Sequence, residues 1–244
     1  MPVYLDSAVL DEVEEAGRLG FVAGVTTNPT LVRRAAEANA RRGLTARAEV
    51  LTAILRATAG TGGLVLAQLQ SGPVEQMAEE AAGLRELDRV RLGIKIPCTA
   101  EGLRLTRRLA AEGAVTLVTA VYSPAQAYLA AEAGATMIAP YVHRWETACG
   151  RPGTEFIGEL RRALAAAGGR TQILAASLKS VEAAMEALLG GAQSLTVPLP
   201  VLREFPHHPL TAQALAEFDR DSKAEGAAGR AVAPAVEGRA RKVE

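Results

Sequence analysis

The chain has 244 residues, and its 27 Lys plus Arg balance 27 Asp plus Glu to a formal net charge of zero. No overall positive field exists to hold a phosphate backbone, so nucleic acid is not expected as a partner. Aromatics at 4% beside a hydrophobic fraction of 49% exclude an aromatic-rich β-sandwich and call for a core of Val, Leu, Ile and Ala, the filling of strands covered by helices.

Membrane partners are not expected either, because no apolar run reaches the ~18 residues of a membrane span. Residues 1–10 carry no basic region followed by an apolar stretch, so the expected location is the cytoplasm. Cys98 and Cys149, the two cysteines, suit a reducing compartment and not a disulfide framework.

In chain order, short β-rich apolar runs alternate with segments rich in Ala, Leu, Glu and Arg, which predicts βαβ units and a parallel sheet. Strands are expected near residues 3–6, 21–26, 64–70, 90–96, 115–121, 136–142, 171–177 and 194–197. That number closes a single (β/α)8 barrel of the TIM type with helices outside. Helices are expected over 74–87, 101–112, 124–133, 155–166 and 181–189, with Thr99 and Ser123 as N-caps and Gly113 and Gly134 as stops. The barrel and a C-terminal helix are assigned to residues 1–222. From 223 to 244 large apolar residues almost vanish, and a flexible tail is expected.

In such barrels the site lies at the C-terminal ends of the strands, so inward polar residues there read as chemistry. The late polar residues are Asp6, Thr26 with Asn28 beyond it, Gln68 and Gln70, Lys95, Thr119, Tyr141 and Ser177. Lys95 stands between Ile94 and Ile96; if both isoleucines face the helices, a period of two turns Lys95 inward. Burial disfavours an ammonium and favours the neutral amine that attacks carbonyls. The alternative is a lysine that snorkels to solvent from a strand end. The same parity turns Gln68, Thr119 and Tyr141 inward, where a tyrosine hydroxyl can exchange protons and Gln and Thr can hold a water. Taken singly, each is more often a satisfied interior polar group; their convergence shifts the balance.

Five blocks carry a resemblance: Tyr4-Leu5-Asp6, Gly24-Val25-Thr26-Thr27-Asn28-Pro29-Thr30, Ile94-Lys95-Ile96-Pro97-Cys98-Thr99-Ala100-Glu101-Gly102-Leu103, Thr119-Ala120-Val121-Tyr122 and Ala139-Pro140-Tyr141-Val142-His143-Arg144. In order along the chain, from about residue 1 to about residue 221, they resemble the small transaldolase and fructose 6-phosphate aldolase family. The resemblance implies a class I aldolase in which Lys95 forms an imine with a ketone, with no metal or other cofactor. It further implies that Asp6 handles the proton of the hydroxyl beside the breaking bond. Thr26 and Asn28 would bind donor hydroxyls, and Arg144 and Ser177 the phosphate. Gln68 and Tyr141 are similar to the aldolase branch, whereas transaldolases carry Glu and Phe there. Tyr141 would then be the acid and base, Gln68 and Thr119 would position the water, and dihydroxyacetone or hydroxyacetone would be the donor and glyceraldehyde 3-phosphate the acceptor. A homo-oligomer, pentamer or decamer, is also implied, with the segment from Leu210 to Phe218 reaching a neighbour.

Two features depart from the family pattern: Cys98 follows Pro97, and the loop from Trp145 to Gly153 is unfamiliar. Other signals are discounted. His143, His207 and His208 lack metal-site spacing; the glycines around Thr61 precede a strand and form a turn; Lys179, beside Ser177, could assist a phosphate or simply be solvated, the second being the simpler; and Arg33-Arg34 and Arg41-Arg42 read as exposed helix faces. The rival readings are a transaldolase that moves a dihydroxyacetone unit between sugar phosphates, and a non-catalytic barrel that binds sugar phosphates.

Overall fold

A computed structural model describes residues 2–231. Its strands are β1 (Val3–Asp6), β2 (Val22–Thr26), β3 (Leu64–Gln68), β4 (Leu92–Pro97), β5 (Thr116–Val121), β6 (Met137–Pro140), β7 (Gln172–Ala175) and β8 (Ser194–Val197). They are all parallel and hydrogen-bonded in chain order, and β1 pairs with both β2 and β8, which closes the ring. The fold is a single (β/α)8 TIM barrel.

The helices are α1 (Leu10–Arg18), α2 (Pro29–Ala40), α3 (Arg47–Ala57), α4 (Val74–Arg85), α5 (Ala100–Ala111), α6 (Pro124–Glu132), α7 (Val142–Cys149), α8 (Gly153–Ala166), α9 (Val181–Leu189), α10 (Leu199–Glu204) and α11 (Pro209–Ala231). Local chemistry sets several boundaries as expected. Thr99 accepts from the Gly102 N–H and Ser123 from the Gln126 N–H, and Gly113 and Gly134 adopt positive φ just past their helices. The chain divides into two compact units, Met1–Leu202 with the barrel and Arg203–Glu244 with α11. Of the tail expected from residue 223, the part to Ala231 belongs to α11, and residues 232–244 lie outside the described residues. No described helix is long and apolar enough to cross a membrane.

The structure differs from the sequence reading after β6. That strand stops at Pro140, and the unfamiliar segment from Trp145 to Gly153 is not a loop: it holds most of α7 and the first residue of α8. Val142 and Trp145 are buried at helical spacing, and Trp145 stacks on Phe156 with ring centroids 4.4 Å apart. The stacked pair contributes about 0.5–1.5 kcal/mol beyond its buried area. This packing overrides the strand signal of the preceding apolar run. Gly150, in the left-handed region, ends α7.

The barrel interior is layered by the period of two. Tyr4, Leu66, Leu117, Met137, Ala139 and Leu174 form one buried apolar cluster. At β4 the corresponding position is Gly93, where a Cβ would meet Leu66 Cδ2 at 2.7 Å, so the glycine makes room for the leucine. Two residues further along the strands, the same inward side carries Asp6, Gln68, Lys95, Thr119 and Tyr141. An apolar plug therefore floors a polar layer at the C-terminal ends of the strands.

Candidate active site

Lys95 is 2% exposed, although the register places its strand position beside Gln68 on β3 and Leu117 on β5. Ile94 and Ile96 are fully buried among the outer packing, and Lys95 lines the cavity inside the barrel end. Its Nζ donates to the Thr27 carbonyl oxygen at 3.3 Å, a long bond. Removal from water lowers its pKa below 10.5, and the charge of Asp6 opposes this only in part. Solvent snorkelling is thereby ruled out: the head group is enclosed.

The cavity measures about 490 Å3 and is lined by Lys95 together with Asp6, Asn28, Gln68, Tyr141, Arg144 and Ser177 among others. Seven of the nine residues singled out in the sequence thus share one cavity. The other two reach it through partners. Thr26 bonds to Asp6 Oδ1 at 2.7 Å and to Thr196 Oγ1 at 2.6 Å, so it fixes Asp6 and does not itself line the space. Thr119 is fully buried and donates to the Tyr141 hydroxyl at 3.3 Å.

Tyr141 caps α7 and sits edge-on to Tyr122, ring centroids 5.9 Å apart, with the Arg144 guanidinium 5.0 Å from its own ring centroid. Burial raises its pKa above 10.0; the Thr119 hydrogen bond and Arg144 lower it in part, while Asp6 adds to the rise. The hydroxyl therefore stays protonated at neutral pH. Gln68 Oε1 is buried with no hydrogen-bond partner among the described residues, an acceptor that a water or ligand hydroxyl would satisfy. The backbone below it is held from outside the barrel, where Arg47 Nη2 donates to the Gln68 carbonyl at 2.7 Å and Arg47 also pairs with Glu80. Asn28 is the N-cap of α2, its Oδ1 accepting from the Leu31 N–H at 3.0 Å, which leaves its amide NH2 to serve a ligand.

Several participants carried no usable signal in the sequence. Arg34, read there as part of an exposed helix face, His143, read as structural or surface, and Lys179, weighed between phosphate and solvent, all line this cavity. So does Ala120, which has φ of 57°, and Ser177 has φ of 62°. Non-glycine residues in that region cost about 1–3 kcal/mol each. At Ala120 the pairing of β5 with β6 slips by a residue, so the bulge separates Thr119, on its way to Tyr141, from Val121. Nothing in the letters Ala and Ser announces such a backbone. Among the described residues no cluster of His, Cys, Asp or Glu could hold a metal ion. Burial pushes the Cys98 thiol up to about 11.

An enclosed amine, a protonated phenol, a carboxylate and a basic rim thus share one barrel-end cavity. Residues 3–237 match the transaldolase/fructose-6-phosphate aldolase family. The chain belongs to that family. Membership makes it an enzyme of the aldolase and transaldolase group, acting on sugar phosphates. The barrel-end cavity is the candidate site, because the strands deliver their terminal side chains there.

Proposed function

We propose that the protein is a class I aldolase that reversibly cleaves fructose 6-phosphate, or a closely related sugar phosphate, into dihydroxyacetone and glyceraldehyde 3-phosphate. The observation that carries this reading is Lys95: an amine with one long backbone hydrogen bond, its charged form disfavoured by burial, opening on a polar cavity. An isolated buried lysine is costly to stability, and nucleophilic use accounts for its retention.

In the proposed sequence the Lys95 nitrogen adds to the ketone carbon, and the ketone oxygen takes a proton from the Tyr141 side to give a carbinolamine. Loss of that oxygen as water leaves the protonated imine. Asp6, oriented by Thr26, accepts the proton of the hydroxyl on the far carbon of the scissile bond, the carbon that becomes the aldehyde. The carbon–carbon bond then breaks, its electron pair moves into the iminium to form an enamine, and the aldehyde leaves. Protonation of the enamine carbon and attack of water release dihydroxyacetone and restore the amine. The unpartnered Gln68 Oε1 and the Thr119–Tyr141 pair would hold that water. Arg144, Ser177 and Lys179 would take the phosphate, since guanidinium geometry suits it, and the Asn28 amide would take a donor hydroxyl.

The pairing of Gln68 with Tyr141 favours aldol cleavage over transfer, because a water held beside the imine hydrolyses the dihydroxyacetone adduct. Fructose 6-phosphate cleavage assayed with and without erythrose 4-phosphate separates the two: release of glyceraldehyde 3-phosphate is expected without acceptor, and strict dependence on acceptor would make the enzyme a transaldolase. Borohydride reduction with dihydroxyacetone should add a covalent mass at Lys95; an unmodified peptide would leave only a sugar-phosphate-binding barrel. A homo-oligomer, pentamer or decamer, is part of the same reading. Leu210, Leu215 and Phe218 of α11 are each more than half exposed, an apolar surface that a second copy would cover, and light scattering at a mass near 25.5 kDa would refute it.

A further inference from the structure

The mouth of the cavity is edged by two helices that a minimal barrel does not need. β2 is followed by both α2 and α3, and β6 by both α7 and α8. α3 packs on β3 and α1, and α8 on α6 and α9, which makes them the outer barrel helices of those units. α2 and α7 are the additions. β2 and β6 lie four strands apart in an eight-strand ring, so the additions stand on opposite sides of the mouth. Each supplies one arginine to the same cavity, Arg34 from α2 and Arg144 from α7.

Arg34 is placed there by helix geometry. Its side chain leans toward the N-terminus of α2, back to the end of β2 where Asn28 caps the helix. Further along, Arg41 pairs with Glu37, and Arg42 just past the helix with Asp11 and Glu14, but no carboxylate pairs with Arg34 among the described residues. Arg33 beside it does not line the cavity. In a chain with no net charge, the cavity wall thus collects Arg34, Arg144, Lys179 and the buried Lys95 against a single carboxylate, Asp6. That excess of positive charge exceeds what Arg144 and Ser177 alone would bring to a phosphate.

We propose that Arg34 is a substrate-binding residue that contacts the phosphate of the acceptor from the wall opposite Arg144 and so selects phosphorylated over neutral acceptors. This assignment rests on the aldolase reading for the identity of the substrate, and its test is built to fail separately from it. With dihydroxyacetone as donor, Arg34→Gln in the full chain should raise KM for glyceraldehyde 3-phosphate about tenfold, the loss of one exposed charge-assisted contact. Its kcat should stay within about twofold, and KM for unphosphorylated glyceraldehyde should not move. Arg34→Lys should recover part of the loss, since the charge remains without the fork, and Arg33→Gln should behave as the parent. An unchanged KM for glyceraldehyde 3-phosphate, an equal effect on glyceraldehyde, or a shift in the donor KM instead would each overturn the proposal. Calorimetric binding of glyceraldehyde 3-phosphate needs no turnover, so it decides the matter even if Lys95 gives no borohydride adduct: about tenfold weaker binding to Arg34→Gln supports the contact, and equal binding removes it.

Discussion

Replacing Lys95 with Met tests the central physical claim by predicting a gain in stability together with a complete loss of imine chemistry. Met has nearly the length of Lys and no group that must be solvated, so it can fill the same interior path. In the parent, folding takes a group that titrates at 10.5 when unfolded and disfavours its charged form by burial. That desolvation opposes folding, and the single 3.3 Å bond to Thr27 returns only about 1 kcal/mol. A net gain of about 2 kcal/mol is expected for Lys95→Met, or about 4–8 °C in Tm for a chain of this size. The sign with pH follows from the lowered pKa. Between the folded value and 10.5 the unfolded chain binds more protons, so the parent gains stability as pH rises, by up to about 1.4 kcal/mol per pH unit. The advantage of the Met variant should therefore shrink steadily toward pH 10. Thermal unfolding of both proteins from pH 6 to 9.5, with borohydride trapping in parallel, measures this. A variant less stable than the parent across the whole range would refute the claim that Lys95 is buried at a cost to the fold.

The pH dependence of kcat/KM should carry an acid limb below 10.5, where Lys95 deprotonates, and a basic limb above 10.0, where Tyr141 loses its proton; an acid limb centred at 10.5 or higher would show an ordinary exposed amine. Tyr141→Phe keeps the ring contacts with Tyr122 and Arg144 but removes the proton carrier, so kcat for cleavage should fall about 10²–10⁴-fold while stability drops by only about 1 kcal/mol for the widowed Thr119 hydroxyl; steady-state kinetics beside denaturant melts check both. Gly102→Ala places a Cβ 2.1 Å from the Pro97 carbonyl oxygen, which must push α5 off the end of the strand that bears Lys95. A loss of about 3 kcal/mol or more is expected with activity falling in step, and a variant that melts like the parent would contradict the packing.

The barrel was legible because its signals are local and repeated. Apolar runs separated by helical stretches, with Thr99 and Ser123 as caps and Gly113 and Gly134 as stops, state the βα alternation many times over. Parity along a strand likewise exposed Lys95, since Ile94 and Ile96 leave it one direction to point. Where the reading missed, long-range contacts had decided. The strand expected to run on to residue 142 stops at Pro140, and α7 begins at Val142 and packs Trp145 on Phe156. Lys179 and Arg34 look like surface charges until the ring closes and brings the loop after β7 and the helix after β2 to one mouth. Thr26 and Thr119 look like ligand contacts, yet each spends its hydroxyl on a neighbour, Asp6 and Tyr141, brought close by strands far apart in the chain.

By itself, then, the order of residues determined the element types, the strand count and the inward row of Asp6, Gln68, Lys95, Thr119 and Tyr141, because a period of two and a capped helix are properties of short stretches. Only the tertiary structure decided which hydroxyls touch the cavity and which support it, that Lys95 is buried where it lines that cavity, and that Ala120 and Ser177 adopt left-handed backbone. Those depend on closing a ring of strands, and closure sets distances between residues whose separation in sequence says nothing about them.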